Sequence, residues 1–492
     1  MLRTYTQRLG FTSLRPGLWQ HSYILAHAIC RNGSVFNQAN QITSGSLICR
    51  DYSNYDSERI RNTNSNDFCK VKFTFLLLSS LFFMIGTVTA QQTYQNKKFK
   101  DGIQSIQVYP EGNPLGYPFI GLNSGENLEF HFDMMSTDLS VLSFGVIHCS
   151  HDWKKSDLES SEYLTGFQTQ NISTFEAAFN TMYEYAHYEF LFPNDMSKPK
   201  YSGNYAMIVF EGNDLNDTNS WLVTYRFMIY ESAVSVLSKV GPSSVIADRY
   251  TSQEVDFDIA YKDFTMYDPM REINVSILQN MQWDNAKHGL KPIFQKPDVL
   301  TFDYNLGENA FGGGSEWRNF DAKNTRYVSA EVEAIMLESD GFNYYLRTDL
   351  PEGKRAYASW ADLNGNFLVK NDQADNSNLE AEYILVHFRL KIPETPESEV
   401  LIEGKFNQFD STPIKCTYDK TEGVYKAKVL LKQGYYNYRY GIHDTYFSVN
   451  DHRSTEGNYA ATENDYHIIV YKYDRNLECD RIIAVKADKS FR

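Results

Sequence analysis

Cysteine, proline and basic residues are scarce in this chain, and long apolar runs are almost absent. Six cysteines in 492 residues are too few and too scattered for a disulfide framework. Cys30, Cys49 and Cys69 lie early. Cys149, Cys416 and Cys479 are an odd set, far apart, expected mainly as small buried residues of β-sheets, with one bridge possible. With 14 Pro and 28 Gly the sequence is neither collagen-like nor low in complexity. Lys and Arg number 47 against 62 Asp and Glu, a net charge of −15. That balance lacks the basic stripe needed to bind nucleic-acid phosphates.

The one long apolar run, Phe73 to Ile85, follows Lys70 and Lys72 and precedes Val88-Thr89-Ala90. A short basic start, an apolar middle and small residues before a cut form the layout of a secretory signal peptide. Residues 70–90 are therefore expected to be a signal peptide cleaved between Ala90 and Gln91. The run is too short to cross a bilayer comfortably, and no later run reaches spanning length, so no direct membrane span is expected. Residues 1–69 are Ser-, Asn- and Arg-rich without strand or helix period, and read as a disordered leader outside the fold. Met1 is the only methionine before the apolar run, and Val71 is a candidate start if its codon is GTG; the alternative is a transit peptide ahead of the signal. Residues 1–90 hold 9 of the 47 basic and 4 of the 62 acidic side chains. The remaining 402 residues therefore carry 38 basic and 58 acidic groups, a net −20.

Aromatic residues are what the chain has in excess: 35 Tyr, 32 Phe and 6 Trp, 15% of the sequence. These residues suit strands, and the apolar pattern has period two, as in half-buried antiparallel strands. Leu128, Phe130 and Phe132 alternate with Glu129, His131 and Asp133. Residues 255–261, 384–392 and 425–431 alternate likewise, and Tyr436, Tyr438 and Tyr440 are spaced by two. Asn364-Gly365 between 357–360 and 367–369 predicts a tight hairpin, since a type I′ turn needs positive φ at both central residues. Residues 328–338 fit a short helix or a strand. The fold class expected is all-β, with tandem antiparallel β-sandwiches of immunoglobulin-like or early-set type. Expected domains span 97–232, 233–392 and 393–492, the last beginning at the polar linker Pro393 to Ser398.

Candidate chemical sites are weak. His148-Cys149-Ser-His151-Asp152 is the densest group of metal-ligand types, but on a strand His148 and His151 point to opposite faces. Asp362-Leu-Asn364-Gly365-Asn366 is too short for a calcium loop and lacks its late Glu. Gly312-Gly313-Gly314 lacks the Lys-Ser/Thr and the helix of a phosphate loop. Glu126/Glu129 and Asp256/Asp258 are carboxylate pairs, yet nothing singles one out for glycosidase chemistry. Asn171, Asn216 and Asn274 begin glycosylation sequons. No enzyme activity, cofactor or metal is expected. Aromatic residues beyond those that fill the cores suit a surface that binds protein or sugar.

Several segments carry a family resemblance. They are Ile106-Gln-Val-Tyr-Pro-Glu-Gly-Asn-Pro-Leu-Gly-Tyr-Pro118, Ile147-His-Cys-Ser-His-Asp-Trp153, Ser202-Gly-Asn-Tyr205 and Gln279-Asn-Met-Gln-Trp-Asp-Asn-Ala286. Further matches are Gly312-Gly-Gly-Ser-Glu-Trp-Arg-Asn-Phe-Asp321, Leu431-Lys-Gln-Gly-Tyr-Tyr-Asn-Tyr438 and Thr462-Glu-Asn-Asp-Tyr466. In this order the chain resembles the type IX secretion system plug proteins of Bacteroidetes over nearly all of residues 91–492. The resemblance implies a non-enzymatic periplasmic subunit, peripheral at the inner face of the outer membrane. Its implied partner is the giant outer-membrane β-barrel translocon, whose periplasmic mouth it would seal when cargo is absent. The last domain also resembles, more loosely, early-set modules that bind glycogen. Gly404-Lys-Phe-Asn-Gln-Phe409 stands where those have Gly-Asp-Phe-Asn-Gly-Trp, with Phe409 in place of the sugar-stacking Trp. A periplasmic polysaccharide-binding protein is therefore the competing reading.

Overall fold

A computed structural model describes residues 93–136, 140–410, 412–444 and 449–490. The leader, the signal peptide and its Ala90/Gln91 cut lie outside the described residues. The regular structure of the described residues is almost entirely strand and mostly antiparallel, as the period-two pattern requires.

The first sandwich is built from two sheets. One runs in the order Lys97–Lys98, Trp221–Tyr230, Gly203–Glu211, Leu142–Cys149, Thr169–Asn171, with Phe119–Gly121 added in parallel to Trp221–Tyr230. The other runs Ile103–Pro110, Leu128–Met134, Ala186–Phe192, Thr174–Ala177. Phe130, Phe132, Phe144, Tyr188, Tyr205, Tyr225 and Phe227 fill the space between them. Phe130 faces Phe190 across the strand pair, their rings stacked 5.0 Å apart. Such aromatic cross-strand pairs contribute roughly 0.5–1.5 kcal/mol beyond simple burial.

The strand Gly203–Glu211 shows no polar alternation, and the structure supplies the reason. Tyr205, Met207 and Val209 enter the first core, while Ala206, Ile208 and Phe210 enter a second core on the back of the sheet. A strand covered on both faces reads as a continuous apolar run.

The C-terminal hairpin, Asp465–Asp474 with Cys479–Lys489, does the covering. Its outward residues Ile469, Tyr471 and Ile482 pack against Ile147, Cys149 and Ile208. Tyr471 also donates to Asn204 Oδ1 at 3.1 Å, and Arg481 pairs with Glu231 at 2.7 Å. The hairpin's other face completes a second sandwich. There Ile273–Gln279 pairs with Asp465–Asp474, and this sheet faces one led by Ser235–Pro242, Ser252–Ala260 and Val299–Phe302. Val255, Phe257, Ile259, Val275, Ile277, Ile468 and Val470 make that core.

Strands between residues 318 and 451 form the third sandwich around Phe320, Tyr344, Phe388, Val400, Tyr436 and Tyr438. It stands in the chain between the strand Ala310–Gly312 and the returning hairpin, so it is an insertion within the second. The sheets thus divide the chain differently from cuts at 232/233 and 392/393. Leu390 and Val400, on either side of the Pro393–Ser398 stretch, share one core. That stretch is a loop inside the third sandwich: Thr395 donates its backbone N–H to Tyr425 Oη at 2.8 Å. Residues 332–338 are a strand rather than a helix. The Asn364-Gly365 turn forms, with φ of 51° and 80°. It closes no hairpin, however, because Phe367–Val369 pairs with Gly434–Asp444 and residues 357–360 are not strand.

Candidate functional site

The three sandwiches meet around a cleft of about 910 Å³. Its walls come from segments far apart in sequence: the loop after Leu142–Cys149, the turn after Ile273–Gln279, residue 317, and the loop following Ser398–Glu403.

Trp153 ends the first of these loops in the left-handed region, at φ 64°. The turn is held by Trp153 N–H donating to Ser150 O at 2.9 Å and Asn204 Nδ2 donating to Ser150 O at 3.0 Å. Asn280 and Met281 also have positive φ, and a reciprocal pair of hydrogen bonds ties Asn280 to Asp465. This tight turn sends Trp283 back toward Trp153, with ring centroids 4.9 Å apart and edge to face. Against both rings lies Arg226, from the strand Trp221–Tyr230. Its guanidinium carbon lies 4.6 Å from the Trp153 ring and 5.6 Å from that of Trp283. Its Nε donates to Tyr94 O at 2.6 Å. Among the described residues no carboxylate pairs with it. Burial, partly opposed by Cys149, pulls its pKa down to about 10.

On the opposite wall Arg439 lies 4.5 Å over the Trp317 ring and bonds Glu403 at 3.0 Å. Lys405 lies 4.6 Å over the Tyr117 ring, and desolvation, opposed by Asp465, draws its ammonium down to about 8. The cleft therefore sets three cations on aromatic faces, among the carboxylates of Asp152, Asp284, Glu403 and Asp410 that also line it. Cation–π contacts are worth up to about 2 kcal/mol when desolvated. They leave Arg226 able to meet an anionic or carbonyl-bearing partner. Trp153 and Trp317 are buried, and their faces are taken by arginine.

The candidate sites of the sequence find structural roles here. Asp362 accepts from the backbone N–H of Trp317 at 2.5 Å and of Asn364 at 2.7 Å, and Gly365 leaves room for the Trp317 ring. Gly313 permits close approach of a neighbouring loop, since a Cβ there would lie 2.0 Å from Tyr459 O. His148 and His151 are not brought together. His148 is buried against Ser156 Oγ at 3.0 Å, and burial pushes it down to about 4. His151 instead bonds Asp480 at 2.8 Å. Cys149, Cys416 and Cys479 are free thiols. Phe409 is buried in the first core, its ring 5.5 Å from Tyr225, so it offers no face to a sugar.

Arg226, Lys405 and Arg439 as a group escape sequence reasoning, because single cations on strands and loops carry no local signal. The hints lie in the segments 147–153, 279–286 and 312–321 and in Arg226-Phe-Met-Ile229, which share the plug-family resemblance, and in 404–409, which carries the early-set one; all contribute to this cleft.

The sequence model described as the type 9 secretion system plug protein 1st domain matches residues 103–231, which form the first sandwich. Among solved structures, a hypothetical protein from Parabacteroides merdae is similar at 30% identity. The match covers 81% of this chain and 100% of that one, with a TM-score of 0.75. No curated protein matches the chain.

Proposed function

Because the chain belongs to the type 9 secretion system plug protein family, we propose that it is a non-enzymatic periplasmic subunit that seals the translocon of that system. As a component of this secretion system it works in the cell envelope. In this reading it binds the periplasmic mouth of the giant outer-membrane β-barrel when no cargo is engaged. The observation that carries the reading is the match of the first sandwich to the plug family.

The physics supports it. A wide barrel leaves a water-filled lumen that would leak periplasmic contents unless something covers it. A stopper must be stiff, and here the three sandwiches share buried faces and buried polar contacts. It must also detach, which suits a partly polar contact such as the Arg226–Trp283 cleft better than an obligate apolar one. No helix among the described residues is long and apolar enough to cross a membrane.

Deleting the gene tests the sealing role. The mutant outer membrane should admit large antibiotics that the parent excludes, and re-expression should restore exclusion. Unchanged permeability would contradict it.

A further inference from the structure

Away from the cleft, on the outer face of the first sandwich, the adjacent strands Leu128–Met134 and Ala186–Phe192 bring two histidines and a glutamate together. Antiparallel register sets His131 opposite Glu189 and His187 opposite Asp133. Since Leu128, Phe130 and Phe132 fill the core, residues 129, 131 and 133 share the other face. His131 Nδ1 lies 3.2 Å from His187 Nε2. Glu189 Oε2 lies 3.7 Å from His131 Nδ1 and 3.8 Å from His187 Nε2.

The outer nitrogens of both rings are already engaged by carboxylates. His187 Nδ1 lies 2.6 Å from Asp133 Oδ1, and His131 Nε2 lies 3.3 Å from Glu129 Oε2. A ring nitrogen that bonds a carboxylate carries the proton, so in each neutral imidazole the lone pair is on the other nitrogen. Those two lone pairs face each other at 3.2 Å, with the Glu189 carboxylate beside them. Three electron-pair donors converging in this way are reconciled either by a proton on one ring, which makes the 3.2 Å contact a hydrogen bond, or by a cation held between them.

We propose that His131, His187 and Glu189 form a binding site for a divalent transition-metal ion of the Zn²⁺ class. Two nitrogens bound tetrahedrally to Zn²⁺ are about 3.3 Å apart, given metal–nitrogen distances of roughly 2.0–2.1 Å. The pair observed here is 3.2 Å apart, and small movements of the Glu189 side chain complete the third bond. Histidine and carboxylate are ligands this ion accepts. The outer shell is also of the kind metal sites use, each histidine being held by a carboxylate through its far nitrogen. Asp133 is itself fixed by Lys432 at 2.7 Å and Tyr383 at 2.6 Å. Tyr109 stacks on the His131 ring at 5.1 Å. Charge fits as well: Glu129, Asp133 and Glu189 against Lys432 leave two negative charges for a doubly positive ion. Glu189 is half-exposed, so the fourth position opens to solvent. Because Lys432 and Tyr383 belong to the third sandwich, the ion braces the junction between the first and third sandwiches.

The test is titration of Zn²⁺ alone into the chelator-stripped full chain, followed by calorimetry and thermal melting. One ion per chain is expected, with a raised melting temperature. Glu189→Gln should weaken binding at least tenfold while keeping the fold. His131→Gln should abolish binding, together with the visible bands of bound Co²⁺. The proposal is overturned if the stripped wild type takes up no more Zn²⁺ than His131→Gln. It is equally overturned if Glu189→Gln binds as the wild type does.

Discussion

Lys432 Nζ lies 2.7 Å from Asp133 Oδ2, and the two side chains are 1% and 0% exposed. The pair joins strands of different sandwiches, and Lys432 also donates to Asn378 O at 2.6 Å and lies 4.2 Å over the Tyr185 ring. Removing one member of a buried pair leaves an uncompensated charge, at a cost of about 3–5 kcal/mol. Lys432→Met should therefore destabilise the chain by about that amount in urea unfolding. Adding Asp133→Asn should recover much of the loss. Equal destabilisation by the single and double variants would show that the pair does not hold the junction.

Phe409 gives a second prediction. In the glycogen-binding modules that the last domain resembles, its position carries a ring that stacks on sugar. Here its backbone O accepts from Lys98 N–H at 2.9 Å, and its side chain is 3% exposed in the core of the first sandwich. Phe409→Ala should cost about 3–5 kcal/mol of stability. Migration of the wild-type protein in gels containing glycogen should be unretarded. Retardation by glycogen that Phe409→Ala abolishes, without loss of stability, would reverse this assignment.

The chain's legibility follows from how each strand is covered. Leu128–Met134 and Tyr383–Leu390 alternate because one face is buried and the other is polar or half-buried, so period two revealed them. The insertion of the third sandwich into the second was invisible. It depends on Ile273–Gln279 pairing with Asp465–Asp474, a contact between distant segments that leaves no local trace. The Pro393–Ser398 stretch reads as a boundary because loop and linker share a composition. The cleft and the histidine cluster were hidden for the same reason. His131 and His187 are 56 residues apart and become neighbours only through strand register.

Buried histidines predict a pH dependence. His467 is held edge-on to Tyr117 at 4.5 Å and to Phe119 at 5.5 Å, and its Nδ1 has no hydrogen-bond partner. Burial, opposed by Asp465, pushes its pKa from 6.5 to about 4. Between these values the unfolded chain binds a proton that the folded chain does not. Stability is therefore full above the unfolded value and falls as pH drops toward 4, by ~2–3 kcal/mol for this group near pH 4.5. His148 adds a loss of the same sign, its pKa lying at about 4 through burial. Asp256 acts in the opposite sense, since burial and Glu254 raise its carboxyl to about 6. The variant comparison isolates the histidine: His467→Phe should lose less stability than the wild type between pH 7 and 4.5 in urea midpoints. Identical losses would contradict the assignment.

Arg226 provides a test of the cleft. Its guanidinium is desolvated against Trp153 and Trp283 and has no carboxylate partner among the described residues. Arg226→Met keeps the stem's packing and removes the charge. The fold should survive with a change of about 2 kcal/mol or less, while capture of the translocon should fall severalfold. Unchanged capture would move the contact to another face.

The central claim is that this protein binds the secretion translocon. Affinity purification of the tagged full chain from detergent-solubilised envelopes tests it most directly. The prediction is co-purification of a giant outer-membrane β-barrel in near-equal amount, lost when an untagged strain is processed alike. Recovery of the intact protein without any such barrel would contradict the account.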